Sequence, residues 1–263
     1  MKKLLLAASV LALGVGSAQA QDMANVDQMF LNLQSVHNTI QNSFSNEKIR
    51  QSASNTANAV AAEGELLGTV VQSTDVAGDF HGQIAVNRAV TDGSWANLGQ
   101  TATNSVNVVL ATDALSVSQT SGAFQEARNV AKFGKAFNPD GVTGPKFDQS
   151  AQNVANIVSL DSAVGDLTQT LDPAFQTASN RLVYTGGGYG RNDGAMTTVG
   201  QEAQNAANVA VMGSSVFGTL MQTSGAAQTA ANVIETNGAL KNINQVGANV
   251  ANVLTKPSTP SVP

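Results

Sequence analysis

Few side chains in this sequence could carry acid–base or metal chemistry. The two imidazoles, His37 and His81, lie in unlike contexts, and neither has a cysteine or a second histidine at metal-ligand spacing. Asp75 and Asp79 lie close to His81 and could form a small acid cluster, as in β-helical polysaccharide enzymes, but loops often carry such residues. The sequence therefore predicts no catalytic residue, no metal site and no cofactor, and the chain is not expected to be an enzyme.

The chemistry that recurs is that of side-chain amides. The stretch QTATNSVNVV, residues 100–109, contains the motif Gln-x-(Ala/Gly)-x-Asn-x-x-Asn, which occurs five times at intervals of 49, 49, 52 and 44 residues. This long form begins at Gln51, Gln100, Gln149, Gln201 and Gln245, and its first asparagines are Asn55, Asn104, Asn153, Asn205 and Asn249. Such internal repetition is typical of solenoid proteins.

A short form that lacks the final asparagine alternates with the long form. It begins at Gln83, Gln125, Gln176 and Gln228. A segment rich in threonine, valine or leucine precedes each short form and carries Gln72, Gln119, Gln169 or Gln222. Five double units, the last of them truncated, account for most of the chain.

The spacing of the motif predicts β-strands that stack. Residues i, i+2 and i+4 of a strand share one face, so Gln100, Ala102 and Asn104 would point the same way. In stacked strands about 4.8 Å apart, each amide can donate to one neighbour and accept from the other, while the small Ala or Gly lets the opposite wall approach. We therefore predict an all-β fold, a β-solenoid of about ten rungs with ladders of Gln and Asn.

The alternative is a helical repeat rich in Ala and Asn. Gln201, Asn205 and Asn208 lie at i, i+4 and i+7, and QEAQNAANVAVM is rich in the best helix former. An exposed helical face usually carries Glu–Lys pairs, which these segments lack, and TNSVNVVLAT is β-branched and rich in Asn. These features favour strands over helices.

The composition excludes one class of partner. Charged residues are 12% of the chain, against about 25% in ordinary soluble domains. The net charge is −5, and it becomes −7 when Lys2 and Lys3 leave with a cleaved leader. A negative chain disfavours binding to phosphate backbones, so no nucleic-acid partner is expected.

The ends of the chain predict export. Residues 1–20, MKKLLLAASVLALGVGSAQA, have the layout of a cleaved signal peptide, and no later segment is apolar enough to span a membrane. Residues 21–48 are predicted to form a segment that caps the first rung, since Met29, Phe30, Leu33 and Ile40 fall near one helical face. The solenoid is predicted to cover residues 49–255, followed by a disordered tail over residues 256–263. The protein would pass through the periplasm to the cell surface or the extracellular space.

The stretches QTATNSVNVV and QSASNTANAV resemble curlin repeats, the building units of secreted bacterial curli fibres. Both have regularly spaced Gln and Asn, small residues after the Gln, and almost no charge or cysteine. The resemblance covers about residues 51–254. Curlin repeats favour Gly two places after the Gln and a wider gap to the Asn, whereas this chain has Ala there except at Gly247, and its units are longer.

This resemblance implies a structural protein of the cell surface or biofilm matrix, a functional amyloid that polymerises with itself. It also implies partners of the curli type, namely an outer-membrane secretion channel and a minor nucleating subunit. By the same resemblance, residues 21–48 would be a secretion-recognition segment for that channel, as an alternative to a cap. The alternative is a monomeric surface adhesin or anchor protein that binds exopolysaccharide or an envelope partner.

Overall fold

The structure is a computed structural model that describes eleven segments of the chain. These are residues 25–31, 33–42, 46–62, 64–74, 82–136, 146–162, 164–172, 174–185, 198–213, 218–236 and 242–255. Every regular element in them is a β-strand. The predicted signal peptide and C-terminal tail, with Asp75, Asp79 and His81, lie outside the described residues.

Fourteen strands follow one another along the chain. They are β1 (Val26–Phe30), β2 (Leu33–Asn42), β3 (Asn46–Ala61), β4 (Glu65–Thr74), β5 (Gly82–Ala111), β6 (Asp113–Ser121), β7 (Phe124–Ala136), β8 (Lys146–Leu160), β9 (Val164–Leu171), β10 (Phe175–Tyr184), β11 (Thr198–Met212), β12 (Leu220–Ser224), β13 (Ala227–Thr236) and β14 (Ile243–Thr255). All of their pairings are parallel. The chain therefore winds as a coil in which each strand lies on its counterpart from the previous circuit.

Each circuit, or rung, contributes to three sheets of five strands. One of them, here called the third sheet, has the strand order β1-β4-β6-β9-β12. The short-form sheet consists of β2, the first part of β5, β7, β10 and β13, and the long-form sheet of β3, the second part of β5, β8, β11 and β14. Strand β5 serves two sheets because its first part pairs with β2 and β7 and its second part with β3 and β8.

The prediction of an all-β solenoid is confirmed, and the helical alternative is wrong, since QEAQNAANVAVM lies in β11. The count of about ten rungs is corrected to five. A long form stacks on the next long form, so Gln100 pairs in register with Gln51 on one side and Gln149 on the other. The short form faces the long form across the interior, and each sequence unit is therefore about half a rung.

The molecule is a flattened coil with two walls. The third and short-form sheets form one wall, and the long-form sheet forms the other. Side-chain hydrogen bonds cross the interior between them: Gln72 of the third sheet donates to the carbonyl of Asn58 in the long-form sheet. Gln83 of the short-form sheet likewise donates to the carbonyl of Ser105 in the long-form sheet. In the middle rung the same alternation of buried and outward residues runs from Gln119 in the third sheet to Gln125 in the short-form sheet. The two halves of this wall therefore lie side by side.

Small residues bring the walls close together. Seven buried alanines from the short and long forms make one cluster, consisting of Ala53, Ala85, Ala102, Ala127, Ala151, Ala178 and Ala203. Larger apolar side chains fill the space on both sides of this cluster; Phe133 and Phe147, for example, stack with ring centroids 4.9 Å apart. The alanine at the centre of each motif thus sets the thickness of the coil.

The segment predicted to cap the solenoid is built into its first rung. Strand β1 pairs with β4 and β2 pairs with β5, and Gln34 and Asn38 lie in register with Gln83 and Asn87 of the short form. The predicted domain boundary at residue 49 therefore falls inside the first rung. None of the described residues belongs to a helix long and apolar enough to cross a membrane.

Candidate functional site

The glutamines of the long form make a continuous ladder of hydrogen bonds. Gln100 Nε2 donates to Gln51 Oε1 at 2.7 Å, and Gln149 Nε2 donates to Gln100 Oε1 at 2.8 Å. Gln201 and Gln245 extend the ladder with two further bonds of 2.7 Å. Gln100 and Gln149 are almost fully buried, so each amide depends on its neighbours rather than on water.

The first asparagines of the motif make a second ladder. Asn55 Nδ2 donates to Asn104 Oδ1 at 2.9 Å, and Asn104 Nδ2 donates to Asn153 Oδ1 at 2.8 Å. Asn205 and Asn249 complete the column with bonds of 2.9 and 2.8 Å. All ten ladder residues predicted from the long form thus lie in two parallel columns.

In most of the buried ladder residues a second amide hydrogen reaches the opposite wall. Asn104 Nδ2 also donates to the carbonyl of Glu126 at 2.8 Å, and Gln100 Nε2 to that of Val130 at 3.3 Å. Within a side-chain amide only the nitrogen can donate to a carbonyl, so this contact fixes which way the amide points. The ladders consequently join the two walls as well as the five rungs.

The final asparagine of the long form has a separate role that the spacing alone did not reveal. Asn58, Asn107, Asn156, Asn208 and Asn252 have φ values between 50° and 56°, in the left-handed region. Residues on both sides of this corner face the interior; Ala155 and Asn156 are consecutive and both buried. Before the corner the long-form strand faces the short-form sheet, and after the corner it faces the third sheet. The amides of these corner asparagines form another ladder, with bonds of 2.8–2.9 Å.

Asparagine is suited to this corner because it tolerates positive φ better than other residues with a Cβ. We expect the free energy of unfolding of Asn156→Ala to be about 1 kcal/mol lower than that of Asn156→Gly, as measured by denaturant unfolding. Both variants lose the amide, but only glycine adopts a positive φ without strain. At Asn153, where φ is not positive, the order should reverse, with Asn153→Gly the less stable. Equal stability of the two Asn156 variants would contradict a strained corner.

Three further amide columns complete the interior. In the third sheet Gln119 Nε2 donates to Gln72 Oε1 at 2.8 Å, and this column also contains Gln28, Gln169 and Gln222. The short-form sheet has a column of glutamines and one of asparagines, with bonds of 2.7–2.9 Å. In the sequence, the column of the third sheet was indicated by the glutamine of the segment that precedes each short form. The two columns of the short-form sheet were indicated by the short form itself.

The two amide types run in opposite directions along the coil. In every glutamine column the Nε2 donates to the preceding rung, as Gln100 does to Gln51, whereas in every asparagine column the Nδ2 donates to the following rung, as Asn55 does to Asn104. Each column therefore has a donor end and an acceptor end. The coil as a whole is polar.

This polarity gives the two ends of the coil complementary chemistry. At the first rung the asparagines present Oδ1 acceptors, and Gln28 and Gln34 each keep an Nε2 hydrogen after one bond to a carbonyl, whereas Gln51 Nε2 donates to the carbonyls of Asn38 and Arg88. At the fifth rung the glutamines present Oε1 acceptors and the asparagines Nδ2 donors. Gln245 and Asn249 are exposed on the last rung, unlike their counterparts inside the coil. The outer edges of β1, β2 and β3 at one end, and of β12, β13 and β14 at the other, have no strand beside them among the described residues.

Of the residues considered for acid–base chemistry, His37 alone lies among the described residues. His37 is exposed on the outer side of β2. Within the segments that the structure describes, no group of three or more His, Asp or Glu side chains could hold a metal ion. The chemistry concentrated in the molecule is that of its amide ladders.

The fold and the ladders define a β-solenoid with two open, complementary ends. Comparisons with protein-family models, curated proteins and solved structures found no match. The ends of the coil are therefore the candidate functional site on physical grounds alone.

Proposed function

We propose that this protein is a secreted structural protein of the bacterial cell surface or biofilm matrix that assembles end to end into curli-like fibres. The observation that carries the proposal is the complementary chemistry of the first and fifth rungs. An incoming copy placed below the first rung would present glutamine acceptors to Gln28 and Gln34 and asparagine donors to Asn55. Gln51 Nε2 would exchange its bond to the carbonyl of Asn38 for one to Gln245 of the incoming copy.

The register of this contact follows from the repeat. If the coil continued from one copy into the next, Gln51 would lie over Gln245, Gln34 over Gln228 and Gln28 over Gln222, each the next member of its column. Six amide columns would then continue across the junction, with three pairs of backbone strands. At about 0.5–1.5 kcal/mol net for each hydrogen bond, the amides alone contribute roughly 3–9 kcal/mol toward the cost of association.

The residues at the two ends favour this contact further. Ile243 and Leu254 are about half exposed on the last rung, although their counterparts Phe147 and Val158 in the middle rung are buried. Another copy would remove this apolar surface from water. Strand β14 carries no charged residue, so it lacks the lysines with which many proteins protect an edge strand.

The sequence supports the cellular setting of the proposal. The predicted signal peptide indicates export, and the residue pattern resembles that of curlin repeats. As in that resemblance, a dedicated secretion channel and a nucleating subunit are the partners we propose besides the protein itself. A coil without cysteine needs no disulfide to persist outside the cell.

The test is assembly of purified mature protein at micromolar concentration. We expect fibres to appear after a lag, and preformed fibres to abolish the lag, because a fibre end offers a complete template. Folded protein that stays monomeric for days at neutral pH, with or without seeds, would contradict the proposal. The alternative, a monomeric adhesin that binds exopolysaccharide or an envelope partner, would then account better for the coil.

A further inference from the structure

The outer surface of the wall formed by the third and short-form sheets carries opposite charges on its two halves. The half over the third sheet, here called the acidic face, consists of the outward residues of β1, β4, β6, β9 and β12. These five strands contain four carboxylates, Asp27, Glu65, Asp113 and Asp166, and no Lys or Arg. The acidic face also exposes Leu67, Leu115 and Met221, each at least half accessible.

The half over the short-form sheet, here called the basic face, consists of the outward residues of β2, the first part of β5, β7, β10 and β13. Four exposed cations lie on it, namely Arg88, Arg128, Lys132 and Arg181. Arg181 pairs with Glu235 at 2.8 Å. In the part of the chain that the structure describes, the side chains of the other three cations have no ion pair or hydrogen bond, and the acids nearest to them on the face are Glu126 and Asp92.

The three free cations form a cluster in the middle of the coil. Arg88 of the second rung lies in register with Val130 of the third rung, and Arg128 and Lys132 flank Val130 at two residues on either side. Adjacent parallel strands and a two-residue step place each of them about 8 Å from Arg88, measured between Cα atoms. At physiological ionic strength this is about one Debye length, so the three charges act together.

We propose that two coils pair side by side through this wall, with the acidic face of each covering the basic face of the other. The basic face is not suited to a hydrated polyanion alone, because Ile84, Val86 and Phe175 stand among its cations. It is suited to a surface that combines carboxylates with apolar side chains. The acidic face of a second copy has this composition and the same spacing between rungs.

The distribution of charge also sets the orientation of the pair. Rotation of one copy by 180° about the axis of the coil brings acidic face onto basic face twice and leaves both coils running in the same direction. Rotation about an axis along the strands would put acid on acid and run the coils in opposite directions, which like-charge repulsion disfavours. The pair is therefore a parallel one with two-fold symmetry.

The side-by-side pairing rests on the proposed end-to-end assembly, because a fibre repeats the lateral contact between the two walls along its length. For one copy, strand lengths and spacing give a footprint on the order of 1,000 Å². This exceeds the roughly 800 Å² per partner of a standard specific interface. Within a fibre the same contact recurs with every copy, and the contacts act together.

The experiment measures the mass per unit length of fibres and, separately, the rate of seeded elongation. Wild-type fibres should have twice the mass per length of a single coil. Charge reversal of the basic face, by Arg88→Glu, Arg128→Glu and Lys132→Glu, should halve the mass per length and leave elongation unchanged, because these residues lie in the second and third rungs, away from the ends. Reversal of the acidic face, by Glu65→Lys and Asp113→Lys, should have the same effect.

A mixture of the two preassembled variant fibres tests whether opposite charges on the two walls hold the coils together. In the second and third rungs, both halves of the wall then carry net negative charge in one variant and net positive charge in the other, so paired fibres of double mass per length should re-form on mixing. Wild-type fibres of single mass, or variants that stay paired, would overturn the inference while leaving the fibre proposal intact. Single wild-type fibres that bind an anionic polysaccharide through Arg88, Arg128 and Lys132 would assign the face to a polyanion instead. Absence of any fibre would remove both proposals.

Discussion

Replacement of Gln100 and Asn104 by leucine should lower the free energy of unfolding by about 3–6 kcal/mol. Each replacement removes a buried amide that bonds to a rung on either side and to a carbonyl of the opposite wall. The neighbouring amides then lose a partner in a place that water cannot reach, at about 1–3 kcal/mol for each unsatisfied group. The measurement is equilibrium unfolding of the soluble protein in urea, followed by circular dichroism.

A matched control lies on the same strand. Thr101 and Thr103 alternate with the ladder residues and point outward, where both are partly exposed. Thr101→Leu with Thr103→Leu makes the same number of changes to leucine and should shift the free energy by less than about 1 kcal/mol. Equal losses in the two double variants would mean that the amides contribute no more than any other strand position.

Lysine on the last strand should delay assembly of the fibre. Val250 and Val253 are partly buried outward residues of β14, which is the proposed template edge. In a fibre, Val250→Lys and Val253→Lys would place two charges beside the first rung of the next copy, where they lose part of their hydration. Since about 1.4 kcal/mol corresponds to a tenfold change in an equilibrium constant, we expect a lag at least about ten times longer in thioflavin fluorescence.

The control for this prediction uses the same two columns in the middle of the coil. Val154 pairs through Ala206 with Val250, and Ile157 through Val209 with Val253. Val154→Lys with Ile157→Lys adds the same charges at similar exposure but leaves both edges unchanged. Its lag should stay close to that of the wild type, and an equally long lag would show that charge alone, and not the edge, slows assembly.

Much of the fold could be predicted from the spacing of a few residue types. A motif with Gln, Ala and Asn at every second position has the period of a strand, and its recurrence about every 49 residues indicated stacking. The number of rungs was wrong because a sequence can show that two units are alike without showing whether they lie above or opposite each other. Carbonyl contacts such as that between Asn104 and Glu126 settle this, and they leave no trace in the sequence.

Other features had weaker signals. Asn107 belongs to the motif, but a residue type does not reveal φ, so the corner it makes was not foreseen. Residues 27–40 mixed a helical period with a marginal strand motif, and tertiary pairing with β4 and β5 decided for strands. The opposite directions of the Gln and Asn columns depend on where each amide lies relative to the carbonyls of the opposite wall, and the sequence does not contain that arrangement.

The most direct test of end-to-end assembly is cross-linking between copies at the predicted junction. Continuation of the coil would place Ser35 on the outer side of the first rung next to Thr229 on the last rung of the adjacent copy, since both belong to one column. Adjacent outward side chains of this coil do touch, as the 3.1 Å bond between Thr103 Oγ1 and Ser54 Oγ shows. The chain has no cysteine, so introduced thiols report this contact alone.

Fibres of the double variant Ser35→Cys, Thr229→Cys should be treated with a short bifunctional maleimide and separated on a denaturing gel. We expect a series of covalently linked oligomers that extends to high mass on the gel. Fibres of either single variant should yield only monomer. Dimers from Ser35→Cys alone would show that first rungs meet each other, and fibres that yield only monomer from the double variant would show that the ends do not meet in this register; either result would contradict head-to-tail continuation of the ladders.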